Sequence, residues 1–136
     1  MFKFVVQGFN MSDALTMDRV WPTITNREAI AVDHAWAGSP GMLYKSLHND
    51  TVEIWAKPLS QQAVAVLILN TAMQNVTLDV STADDLPPTA AGATSYRSIW
   101  THTDVPITNG KISLELTAHE NIFAVLNHTS GDGQSL

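Results

Sequence analysis

Two hydrophobic periods divide the chain near residue 41. Ahead of it, Phe2 to Val6 is a short apolar run around Lys3 and predicts a buried strand. Ser12 offers an N-cap oxygen with Asp13 in the first turn, and Leu15, Val20 and Trp21 are spaced for one helical face. Pro22 is expected to end or kink that helix. Thr25-Asn-Arg-Glu28 has the order of a capping box and predicts a second helix through Ala29, Ile30, Ala31 and Val32, with Asp33 near its end. Strand, helix, helix is the closing unit of an α/β architecture, and alone it has no strand to pair with.

Ala37-Gly-Ser-Pro-Gly41 punctuates the change, and from there the period is two. Across Thr51 to Lys57, Val52, Ile54 and Ala56 share one face, and Glu53, Trp55 and Lys57 the other. Ala63 to Leu69 is continuously apolar, as a mid-sheet strand is. Asn75 to Val80 alternates again, and Ala83 to Gly92 is a loop because paired prolines do not sit in a central strand. Ser95 to Thr103, Lys111 to Thr117 and Asn121 to Leu126 complete the set, with Asn109-Gly110 as a turn and residues 129–136 as a polar tail. Six or seven short strands at this spacing predict a mainly β fold, an antiparallel sandwich.

Composition narrows the partners. Among 136 residues, 13 acidic and 7 basic side chains give a net charge of −6, so no basic stripe exists to neutralise several phosphates and nucleic acid is excluded. Charged residues are 15%, against about 25% in an average soluble domain, which points to a surface partly covered by something else. No cysteine is present, which removes disulfides, zinc-thiolate sites and thiol nucleophiles. The longest apolar run has seven residues where a membrane span needs about 20, so no membrane partner is expected. Asn10, Asn49, Asn75 and Asn127 each begin an N-glycosylation sequon. The first nine residues have neither the length nor the cleavage site of a signal peptide. Sequons without an entry signal are what truncation of a longer protein produces.

Candidate chemistry is sparse. His34, His48, His102, His119 and His128 do not pair at the spacings that put two imidazoles on one metal, so neither a metal nor a cofactor is expected. Asp84-Asp85 reads as a solvated turn rather than an acid/base dyad, and Ser39 is in no nucleophile elbow. No catalytic set is visible. Trp55 and Trp100, both on predicted strands, are the candidates for stacking on a sugar ring, set against the simpler expectation that both are packed.

Taken in order, Thr25-Asn-Arg-Glu-Ala-Ile-Ala-Val-Asp33, Trp36-Ala-Gly-Ser-Pro-Gly41, Val52-Glu-Ile-Trp-Ala-Lys-Pro-Leu-Ser60 and Ala63-Val-Ala-Val-Leu-Ile-Leu-Asn70 resemble the C-terminal part of α-galactosidases of glycoside hydrolase family 27. Ser98-Ile-Trp100 and Leu116 to Leu126 resemble that family's later strands, so the likeness spans nearly the whole chain. It implies that residues 1–36 are the last strand and helices of a truncated (β/α)₈ barrel, 37–41 a linker and 42–128 the C-terminal sandwich. Such enzymes hydrolyse terminal α-galactosides with retention, using two carboxylates about 5–5.5 Å apart. By the resemblance both lie upstream of anything here, so no catalytic residue is carried over. The implied partners are the missing barrel and a galactoside substrate, in a parent protein that is secreted or lysosomal/vacuolar. Glu120 and Asn121 depart from the family's usual small residue after an Ala-His pair.

Overall fold

A computed structural model describes residues 12–128. The strand expected over 2–6, the sequon at Asn10 and the polar tail lie outside the described residues. Helix α1 (Ala14–Ile24) and helix α2 (Arg27–His34) precede eight strands: β1 (Met42–Leu47), β2 (Val52–Pro58), β3 (Ala63–Asn70), β4 (Val76–Ser81), β5 (Ser95–Ser98), β6 (Thr103–Pro106), β7 (Lys111–Leu116) and β8 (Asn121–Asn127).

The strands make an antiparallel sandwich of unequal layers. The large sheet runs β1-β2-β3-β8-β5-β6, and β4 pairs with β7 in the second. Alternation along β7 puts Ile112, Leu114 and Leu116 inward and Lys111, Ser113 and Glu115 outward. Facing them are Val52, Ile54, Val66, Ile68 and Leu126 of the large sheet, all at most 1% exposed. Two strands cannot cover six, and the segment between β4 and β5 fills the gap. Its Leu86, Ala90 and Ala93 enter the same core, around a 3₁₀ turn at Pro88–Ala90.

β3 lies between β2 and β8, as its unbroken apolar run predicts. Val64, Val66 and Ile68 fill the sandwich, while Ala65 and Leu67 face the other way, into a second cluster with Phe123 and α2. That cluster is why the large sheet needs apolar residues on both faces.

Several expected boundaries are corrected. The strand expected over 95–103 is the hairpin β5–β6: alternation continues through Ile99, but the chain turns at 99–102 with His102 at φ 56°. Trp100 is therefore in a turn, not on a strand. β1 escaped the pattern because it is an edge strand, largely exposed, with a bulge between Leu43 and Lys45. Helix α1 runs through Pro22 to Ile24, and its N-cap is Asp13 rather than Ser12, with Thr16 N–H donating to Asp13 Oδ2 at 3.1 Å. The Thr25–Glu28 capping box does not form. Asn26 caps α2, accepting from the N–H groups of Glu28 and Ala29 at 3.1 Å each. Thr25 instead closes α1, its hydroxyl donating to Trp21 O at 2.7 Å. The expected turn at Asn109-Gly110 has positive φ at both residues, 52° and 66°, the left-handed pair a type I′ turn requires.

Candidate functional site

The outer face of the large sheet is where sequence-distant elements converge. Ala29 and Val32 of α2 pack on Ala65, Ile99 and Phe123, with Trp100 and Val125 at the margin. Polar anchors sit at both helix ends. At the N-terminal end, the Asn26 side chain caps α2 with its oxygen and donates from Nδ2 to Ile99 O at 2.9 Å. At the C-terminal end, Lys57 of β2, 2% exposed, donates from Nζ to Val32 O at 2.6 Å and Asp33 O at 2.8 Å. Terminal carbonyls lack partners within a helix, so a donor placed there satisfies groups that burial would otherwise leave bare. Asp33 Oδ1 beside them is buried with no hydrogen-bond partner among the described residues.

Glu28, in the first turn of α2, reaches the β5–β6 hairpin. Arg97 Nε donates to its Oε1 at 2.9 Å, His102 Nδ1 lies 2.7 Å from Oε2, and Arg97 also approaches Asp104 at 3.6 Å. The hydrogen bond with His102 does most to hold the Glu28 carboxyl below its ordinary value; partial desolvation opposes it, and the hydrogen bond and charge of Arg97 reinforce it. A groove of ≈ 460 Å³ runs along this seam, bordered by Glu28, Val32, Arg97, Asp104 and Asn127. Both of its carboxylates are paired with the Arg97 guanidinium.

The indoles are engaged. Trp55 is on β2 and half-buried, donating from Nε1 to Glu53 at 2.9 Å. Trp100 donates to Asn121 Oδ1 at 2.9 Å, and its ring lies 5.5 Å from that of Phe123 at 59°. The structure does not bring Trp55 and Trp100 into one cluster. Among the described residues, no three His, Cys, Asp or Glu gather as a metal would need. Asp84 and Asp85 both engage Ser81, whose Oγ donates to Asp84 at 3.0 Å and whose N–H donates to Asp85 at 2.9 Å, while Lys45 Nζ meets Asp85 at 2.6 Å. Partial burial would raise the Asp85 carboxyl, but Lys45 and the Ser81 N–H outweigh it and hold it below its ordinary value.

Sequence reasoning missed Asn26 and Lys57 as anchors. Lys57 shares its face of β2 with Glu53 and Trp55, so the sequence carries no sign of its burial.

Exposed apolar surface is concentrated in one stretch. Leu15, Trp21, Ile30, Trp36, Met42 and Leu43 are all open to solvent, Leu15 by 81% and Trp36 by 69%, and α1 buries no residue. A surface of this kind marks an interaction face.

Comparisons with known proteins agree on the sandwich. Residues 49–126 match the family described as the alpha galactosidase C-terminal beta sandwich domain. Among curated proteins, the chain is 32% identical over 116 residues to an α-galactosidase of Coffea arabica, covering 84% of this chain and 30% of that protein. It is 31% identical over 102 residues to the α-galactosidase of Cyamopsis tetragonoloba, covering 75% and 24%. The chain thus spans under a third of the length of these relatives. Among solved structures, α-galactosidase I of Mortierella vinacea superposes with a TM-score of 0.64 at 19% identity, over 77% of this chain and 27% of that one. A family 27 β-L-arabinopyranosidase of Geobacillus stearothermophilus superposes with a TM-score of 0.67 at 19% identity, over 82% and 24%.

Proposed function

Because the chain belongs to the α-galactosidase C-terminal β-sandwich family, we propose that it is the C-terminal region of a longer, retaining α-galactosidase-like glycoside hydrolase. Residues 42–128 are its structural sandwich, 1–36 the last strand and helices of its catalytic (β/α)₈ barrel, 37–41 the linker and 129–136 a polar tail. The parent acts on terminal α-galactosyl residues and is secreted or lysosomal/vacuolar. Its two catalytic carboxylates, about 5–5.5 Å apart in such enzymes, belong to earlier barrel strands. No catalytic residue, metal or cofactor is assigned to this chain.

The unequal treatment of two adjacent helices carries this reading. α2 is fixed on the large sheet by Ala29, Val32, Asn26 and Lys57, whereas α1 turns Leu15 and Trp21 to solvent and has no fully buried residue. An apolar helix face without a neighbour is half of an interface, and the barrel is the other half.

The test compares two polypeptides. The longer protein should hydrolyse an α-galactoside to α-galactose as first product, followed by proton NMR, and the 136-residue chain should give no turnover. Turnover by the chain alone, or an inert longer protein, overturns the assignment. Saturable quenching of tryptophan fluorescence by galactosides would move the reading to a stand-alone carbohydrate-binding module with Trp55 or Trp100 as the platform. Both indoles are half-buried and Phe123 lies against the Trp100 ring, which argues for no quenching through either.

A further inference from the structure

The three sequon asparagines among the described residues are all exposed, but they stand at opposite ends of the sandwich. Asn49 is at the tip of the β1–β2 hairpin, where His48, Asn49 and Asp50 have φ of 55°, 54° and 62°. Asn75 directly precedes β4, and its sequon threonine, Thr77, is exposed on that strand. These two loops are fastened together, since the N–H and hydroxyl of Thr71 both donate to Thr51 O, at 2.8 and 3.0 Å. Beneath them Asn70, fully buried, donates to Gln74 O at 2.8 Å and Thr117 O at 3.0 Å and accepts from Ala72 N–H at 3.0 Å. Asn127 pairs with Ala63 at the other end, about 20 Å along the strands, and borders the groove beside α2.

Asparagines with structural duties differ visibly: Asn26, Asn70 and Asn121 all use their side-chain amides in the hydrogen bonds described above. Asn49 and Asn75 are instead held outward by loops that other residues order. Met73, two residues before Asn75, is 81% exposed with its sulfur 3.0 Å from His119 Nε2, and among the described residues it is the large exposed apolar side chain outside the 15–44 stretch. A sugar layer at this end would cover it.

We propose that Asn49 and Asn75 carry N-linked glycans and that Asn127 does not. The step joins the asparagine Nδ2 to the anomeric carbon of a polyprenyl-diphosphate oligosaccharide. The carbon–oxygen bond to the diphosphate breaks, the diphosphate leaves with the electron pair, and one amide proton is lost. The exclusion of Asn127 rests on the proposed function: Asn127 borders the groove beside α2, where barrel elements meet the sandwich, and a glycan there would obstruct that contact.

Protein isolated from its own source, treated with peptide-N-glycosidase in heavy-oxygen water and mapped by mass spectrometry, decides the matter. Labelled deamidation at positions 49 and 75 and none at 127 is the expected result. An unlabelled position 49 or 75 overturns the glycan-bearing end and leaves the hydrolase reading standing. Label at 127 overturns the sorting and counts against the docked face.

Discussion

Lys57, near the end of β2, donates from a buried Nζ to the carbonyl oxygen of Val32 at 2.6 Å, so a strand of the sandwich closes the C-terminal end of α2. The same nitrogen takes Asp33 O at 2.8 Å. A methionine keeps the stem's packing but leaves two carbonyls without their donor, a cost of about 1–3 kcal/mol. Lys57→Met should lower the urea midpoint at unchanged slope and raise hydrogen exchange across Arg27–His34 more than in β3. Unchanged exchange in α2 would show that the contact holds nothing.

Asn26 makes the matching contact at the other end of α2 and separates two roles. Asn26→Ala removes both the cap and the donor to Ile99 O, and the cap alone is worth about 0.5–2 kcal/mol. Asn26→Ser restores a capping oxygen without the reach to Ile99. The serine variant should fall between wild type and alanine in thermal melts. Equal melting of both variants would mean that the bridge to Ile99 carries the whole effect.

Glu28 gives the α2 contact a pH dependence. Its carboxyl is held below the ordinary value, first by His102 and then by Arg97 against a partial burial penalty, so its contribution is complete above the unfolded-state value near 4.5. That contribution is lost as pH falls through the lower folded value. Glu28→Gln should flatten part of the acid limb of stability below about pH 4.5 and cost at most about 1 kcal/mol at pH 7, the pair being partly exposed. Asp85 and Glu120, also lowered, keep acid sensitivity in the variant. An acid limb identical to wild type would remove Glu28 from the account.

How much was legible follows from where each residue's partner lies. β3 and β7 were plain because their patterns record burial on two faces and on one. β1 was hidden because it is an exposed edge strand with a bulge, and the break between β5 and β6 because a left-handed His102 makes it with no Gly or Pro. Both helix caps fell one residue from their expected places, since Ser12-Asp13 and Thr25-Asn26 each offer adjacent capping side chains. Glu28 was expected to fold back on its own helix, but its partners are 69 and 74 residues away, beyond any local pattern. Leu15, Val20 and Trp21 were expected on one face of α1, but Val20 is half-buried with Met17 and Ile24 while Leu15 and Trp21 are exposed.

That uncovered face has a consequence for the chain by itself. Leu15 and Trp21 are 81% and 53% exposed on a helix that buries no residue, and Trp36 follows at 69%. Removing such side chains from water is worth roughly 25 cal/mol per Å² of apolar area, so at high concentration copies of the chain should associate through them. Leu15→Lys with Trp21→Glu should shift sedimentation towards monomer and leave the melting of the β-sandwich unchanged, because neither side chain touches its core. A monomeric wild-type chain at high concentration would argue that α1 is shielded without a partner, and the docking face would lose its main support.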